Sequence, residues 1–254
     1  MSNKHEHKEF ELKSIRNLLT MTEKESTFLE KLEPEELNKL RQQIIISMQD
    51  GQKEIWVPMA KVSKFMPNFL NAKVSEDILG PNITANLSYH LDPKDAIGIA
   101  GHFSIKFFCD VLEHLVPEKI ADMIKQSPFD LMRRAVNELL TRKNYFLIGS
   151  LIDYTPIDSV EKIARGISNL GDLISITYNA QDKSRVLNLF KRFDDNKIFG
   201  VMDIGLNTNL SEEIKTIYEH ADEELLEKTR KIIQSKDAAL LEKYNIMLTH
   251  FDKD

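Results

Sequence analysis

The sequence predicts an all-α protein, a superhelical stack of short helices of the α-solenoid kind with longer C-terminal helices. Three observations carry that prediction. Apolar residues recur three and four apart along most of the 254 residues, and alternating strand-type stretches are almost absent. Glycine is scarce, with 9 in the chain, and prolines stand mainly in front of helical patterns. Finally, a twelve-residue period runs through residues 90–137 as "HLDPKDAIGIAG", "HFSIKFFCDVLE", "HLVPEKIADMIK" and "QSPFDLMRRAVN".

Positions 7, 10 and 11 of these blocks are always apolar. They are Ala96, Ile99 and Ala100, then Phe108, Val111 and Leu112. Next come Ile120, Met123 and Ile124, then Met132, Ala135 and Val136. The spacing i, i+3, i+4 is one face of a helix. Position 4 is Pro93, Ile105, Pro117 and Phe129, and the upstream block "ILGPNITANLSY" keeps phase with Pro81 and Leu87. Proline at a first helical position wastes no hydrogen bond and presets φ, and Asp92 stands where it could cap the helix that Pro93 opens. A helix of two or three turns cannot hold alone, because nucleation is costly and few bonds repay it. The blocks must therefore stack and share a core.

In chain order, residues 1–32 read as a charged N-terminal arm, with Phe10, Ile15, Leu18 and Leu19 at near-helical spacing. Pro34, Glu35 and Glu36 then open a helix with an apolar stripe of Leu37, Leu40, Ile44, Ile45 and Met48, and "DGQ" ends it. "KEIWVPMA" is the best candidate for an extended piece, limited by Pro58. "PMAKVSKFMPNFLNAKV" predicts two helices broken at Met66-Pro67. After the repeat, "ELLTRKNYFLIGSLID" reads as a longer helical piece, and Pro156, Val160, Ile163 and Ile167 return to the proline-led pattern. Asp182 is expected to cap a helix carrying Val186, Leu189, Phe190 and Phe193. The polar "DIGLNTN" marks a junction near 205–210, followed by one or two long helices that Ser211 caps. The expected domains are thus an arm over 1–32, a repeat domain over 33–207 and a C-terminal helical region over 208–254.

A net charge of −6 and a pI of about 5.7 argue against nucleic acid and anionic membrane as partners. The longest apolar pieces, "IIISM" and "YFLIGSLI", fall well short of the roughly 20 residues that span a bilayer, so no membrane insertion is expected. The opening "MSNKHEHKEFELKS" is polar and lacks the apolar run of a signal peptide. The single Cys109 cannot form an internal disulfide and reads as a small buried hydrophobe, in keeping with a reducing cytoplasm.

His90, His102 and His114 share position 1 of their blocks, which raises a metal site. Equivalent positions of stacked helices lie about 8–10 Å apart. Metal ligands must come within roughly 2.1 Å of one ion, so the three are read as structural, with Tyr89 beside them on a ridge that could face a partner. "HEH" at 5–7 reads as part of an exposed arm, and "FDDN" and "DEELLEK" as a helix end and a solvated face. Trp56 and the clusters "KFMPNF" and "KFF" read as core. No zinc-protease, nucleophile-elbow, EF-hand or phosphate-loop motif is present, so neither a catalytic residue nor a cofactor is assigned.

Helices that open "LDPKDAIGIA" and "LVPEKIADMI" resemble the cytosolic N-terminal domain of MgtE-type magnesium transporters and the related repeats of FliG-type motor switch proteins. The resemblance covers roughly residues 78–137. It implies a right-handed superhelix serving as an interaction or sensing module, and it leaves room for weak divalent-cation binding between acidic helix surfaces. Transport and motility are not implied, since no segment matches a CBS domain, a membrane pore or a torque helix. The expectation is a cytosolic interaction or regulatory module whose partner is another protein or a second copy. The alternatives are a ligand-binding protein or enzyme with His90, His102 or Tyr89 at the mouth of a pocket, and a magnesium sensor.

Overall fold

The computed structural model describes residues 2–50 and 53–249, and among these every regular element is helical. The chain divides into two compact units, residues 1–141 and 142–254.

The first unit opens with α1 (Ser2–Leu19) packed on α2 (Pro34–Asp50). A 3-10 turn at Thr27–Lys31 adds Leu29 to a small core of Leu12, Ile15 and Leu37. The stretch expected to be a charged arm is therefore folded, and its charge is partly internal. Glu11 is fully buried and accepts from Arg41 Nε at 2.6 Å and Asn38 Nδ2 at 2.9 Å. Helix α1 closes with Met21 N–H donating to the Arg16 carbonyl, and Thr20 takes the left-handed position (φ 54°) that glycine usually fills. Gly51 and Gln52, expected to end α2, lie outside the described residues.

Seven short helices follow: α3 (Lys53–Ser63), α4 (Asn68–Val74), α5 (Gly80–Ser88), α6 (Pro93–Ala100), α7 (Ile105–Glu113), α8 (Ala121–Gln126) and α9 (Phe129–Thr141). They form two interleaved rows. In one, α3 packs on α5, α5 on α7 and α7 on α9; in the other, α4 packs on α6 and α6 on α8. Each helix thus leans on the next but one, and the structural period is two twelve-residue blocks. The polar ties follow that period. Glu76 accepts from Ser104 N–H, 28 positions on, and Tyr89 Oη accepts from Val116 N–H, 27 positions on.

Two local features depart from the sequence expectation. "KEIWVPMA" is not extended but lies in α3, with Pro58 inside the helix. Burial of Trp56, Ala60 and Ser63 at helical spacing outweighs the backbone bond that proline removes. Asp92 does precede α6, yet its carboxylate pairs with Lys64 and makes no cap bond.

In the second unit, α10 (Tyr145–Ile152), α12 (Leu170–Asn179), α14 (Asp195–Asn207) and α16 (Glu223–Gln234) pack in succession. Between them run α11 (Ile157–Gly166), α13 (Lys183–Phe190) and α15 (Ser211–Tyr218), and α17 (Ala238–Leu248) closes on α16 and α14. The expected helical piece "ELLTRKNYFLIGSLID" is interrupted. Lys143 is left-handed (φ 53°), and Asn144 accepts from Leu147 N–H to cap α10. The junction expected near 205–210 falls inside this unit, where α14 and α15 pack together. Among its described residues the C-terminal region is three helices of 8, 12 and 11 residues, not one or two long ones. Asp222 and Asp237 each cap a fresh start there, while Ser211 begins α15 without capping it. The longest described helices are α1 and α2, at 18 and 17 residues.

Charges of the right sign meet helix ends across this unit. Asp153 accepts from the N–H groups of Gln181 and Asp182, just ahead of α13. Arg185 donates to the carbonyls of Ile152, the last residue of α10, and of Thr155 just beyond it. Lys197 reaches the Ala164 and Ile167 carbonyls at the end of α11, where burial holds its ammonium below the ordinary lysine range.

Candidate functional site

The inner stripe of the first unit's short helices does not close into a solid core. It lines a cavity of about 340 Å³ that is partly open to solvent. Position 7 supplies Thr84, Ala96, Phe108, Ile120 and Met132 to its wall. Position 10 adds Leu87, Ile99, Val111 and Met123, and position 11 adds Ser88, Ala100, Leu112 and Ile124. Of the residues at positions 7, 10 and 11 of the four blocks, only Ala135 and Val136 do not face it, and none of the position-4 residues Pro93, Ile105, Pro117 and Phe129 does. Position 2 escaped notice in the sequence, yet Leu79, Leu91, Phe103, Leu115 and Ser127 line the cavity too. Its signal was there to read, an apolar residue in all but one block.

Ahead of Gly80 the lining phase runs one residue early, with Met66, Asn71, Val74 and Ser75. A π turn at Ser75–Leu79 sits at the shift. Its i→i+5 bonding takes up one residue more per turn than an α-helix and restores the register. Gly80, with φ 75°, ends the π turn in a conformation that other residues rarely adopt.

No lining residue is ionisable. Five of the six polar lining side chains, all but Ser75, donate to backbone carbonyls: Ser63 to that of Ala60, Asn71 to those of Ser63 and Met66, and Thr84 to that of Gly80. Ser88 and Ser127 likewise donate to the carbonyls four residues before them. Acid–base chemistry therefore has no ionisable lining residue to carry it, and no lining base stands ready to activate the Ser75 hydroxyl. Four methionines, Met59, Met66, Met123 and Met132, give the wall a deformable surface. Water entering from the open side finds almost no group to bond.

The residues singled out in the sequence lie elsewhere. His90, His102, His114 and Tyr89 are not among the lining residues, which removes them from the mouth of this pocket. His90 and His114 follow α5 and α7 of one row, and His102 follows α6 of the other. Among the described residues no group of three His, Cys, Asp or Glu could hold a metal ion. The Tyr89 phenol accepts from Val116 N–H at 2.8 Å, and burial pushes its pKa up to about 12. It ties the end of α5 to the 3-10 turn at Pro117–Ile120 that precedes α8. His5 is exposed, and the side chains of Glu6 and His7 lie outside the described residues. Cys109 is buried, its Sγ 3.6 Å from the Ala135 carbonyl.

A second feature contradicts the reading of "KFMPNF" as core. Phe65 is 89% exposed, Ile78 74%, and Val62 and Phe69 60% each. Phe65 falls in the break between α3 and α4, and the seven-residue α4 buries Asn71 and Ala72 while leaving Phe69 outward. Trp56 is buried as expected, though its indole N–H meets no acceptor among the described residues. Beyond residue 83, Phe129 and Ile246 are the only large apolar side chains left exposed among the described residues. In the second unit, a polar depression holds Asp182, Arg185 and Arg192, whose charges are already spent. Asp182 caps α13, Arg185 holds two carbonyls and Arg192 pairs with Glu161.

No helix among the described residues is long and apolar enough to cross a membrane. No family model, curated protein or solved structure matches the chain.

Proposed function

We propose that this chain is a helical-repeat interaction module with no reaction of its own, and that a protein partner docks on the apolar face of α3, α4 and the π turn. The observation that carries this reading is the exposure of Val62, Phe65, Phe69 and Ile78 within seventeen positions (62–78). Fully burying one such side chain is worth about 1.5–3 kcal/mol, so a few of them supply the core of a protein interface. A contiguous apolar patch of several hundred Å² marks an interaction site, and this reading takes the four side chains, close together in the chain, to form one. A small molecule in the cavity would leave Phe65 in water, whereas a partner with its own apolar face would cover it.

The test is a comparison of wild type with the combined variant Phe65→Ser, Phe69→Ser and Ile78→Ser. These side chains are exposed, so the thermal midpoint should hold. Pull-down from the native cell should recover a partner with wild type and lose it with the variant. If sedimentation instead shows a wild-type dimer that the variant reduces to monomer, the partner is a second copy of this chain. A partner retained in full by a folded variant sinks the reading.

A further inference from the structure

The geometry points to a second binding function inside the first unit: the cavity takes an uncharged, hydrocarbon-rich small molecule. Its size sets the scale. A dry 150 Å³ cavity accepts benzene, so about 340 Å³ has room for roughly a dozen non-hydrogen atoms. The wall sets the class. It holds no ionisable side chain to pair a charged group, and an unpaired buried charge is prohibitive. A strongly polar guest gains little either, because five of the six polar lining side chains, Ser63, Asn71, Thr84, Ser88 and Ser127, already donate to backbone carbonyls and only Ser75 is left to meet it.

The space has an identifiable cause in the sequence. At positions 7 and 11 the second and third blocks carry Phe108, Leu112, Ile120 and Ile124. The block of α6 carries Ala96 and Ala100 instead, and α5 carries Thr84 and Ser88. Small residues on two successive helices, facing large ones on the next two, hold open a volume that leucines would fill. Stacking alone would be served better by a filled core. This inference does not rest on the protein-partner reading. That one concerns the outer face and this one the interior, and Val62 alone belongs to both.

The experiment titrates the full chain with 1-decanol and, in parallel, with decanoate. Binding is followed by the emission of Trp56, the single tryptophan, which lies on the cavity-lining helix α3, and by the thermal midpoint. Decanol should bind saturably and raise the midpoint, and decanoate should bind at least about tenfold more weakly. Ala100→Phe, which fills the space, should weaken decanol by about tenfold or more while keeping helical circular dichroism. If that variant fails to fold, Ser88→Leu serves the same purpose with less bulk. Phe65→Ser with Phe69→Ser, on the outer face, should leave decanol affinity within about twofold. Three results overturn the proposal: no saturable decanol binding up to its solubility, equal binding of decanoate, or undiminished binding in a folded filled variant. Loss of decanol binding in the outer-face variant overturns it as well, by moving the guest out of the cavity.

Discussion

Glu11 on α1 and Arg41 on α2 are joined at 2.6 Å with both side chains almost entirely out of water, and Arg41 continues to Glu118 in the turn before α8. The triad fastens the two N-terminal helices to the repeat blocks. A buried ion pair adds little over a well-packed apolar pair, but breaking it strands a charge.

Glu11→Ala leaves Arg41 with Glu118 as its carboxylate and is therefore expected to cost the first unit about 1–3 kcal/mol, and Glu11→Ala combined with Arg41→Met to recover part of that loss. Urea denaturation followed through Trp56 reads the change directly. A cost below about 1 kcal/mol for Glu11→Ala would mean that the pair is not dry in solution.

Backbone conformation offers a pair of opposite substitutions. Thr20 and Lys143 sit at φ 54° and 53°, so Thr20→Gly and Lys143→Gly should each stabilise by roughly 1 kcal/mol. Gly80 is at φ 75° with open space around it, so Gly80→Ala should destabilise by about the same amount through strain alone. Thermal midpoints moving in these opposite directions confirm the three conformations, and a common direction refutes them.

Four phenols should resist ionisation. Burial raises Tyr89 to about 12, and the bond to Asp172 raises Tyr145 to about 12. Burial lifts Tyr218 and Tyr244 higher still. Each raised value favours the neutral phenol in the folded state. That contribution is whole below about pH 10, the ordinary tyrosine value, and is lost as pH climbs through 12. Phenolate absorbance at pH 11 should be well below that of the same chain in urea, with stability falling above pH 10. A titration that matches the unfolded chain would contradict the packing around these rings.

Magnesium provides a simple discriminating measurement. If the chain is an interaction module and not a magnesium sensor, millimolar magnesium should leave the thermal midpoint unmoved. A saturable rise would require binding to the folded state and would favour the sensing alternative.

Periodicity along the chain was enough to establish the all-α class, the proline-led starts of α2 and α6, the Asp182 cap and the stripe that lines the cavity. Each of these depends on residues within a turn or two of one another, where backbone geometry alone decides who shares a face. Which helix that face meets, and across what gap, depends on segments two blocks away and on the volumes they bring. So the pairing of α5 with α7, the space beside Ala96 and Ala100, the burial of Glu11 and the exposure of Phe65 emerged only on folding. Gly149 makes the same point: nothing around it in sequence marks it, yet a Cβ there would lie 2.6 Å from the carbonyl carbon of Asn179, because α10 packs against α12.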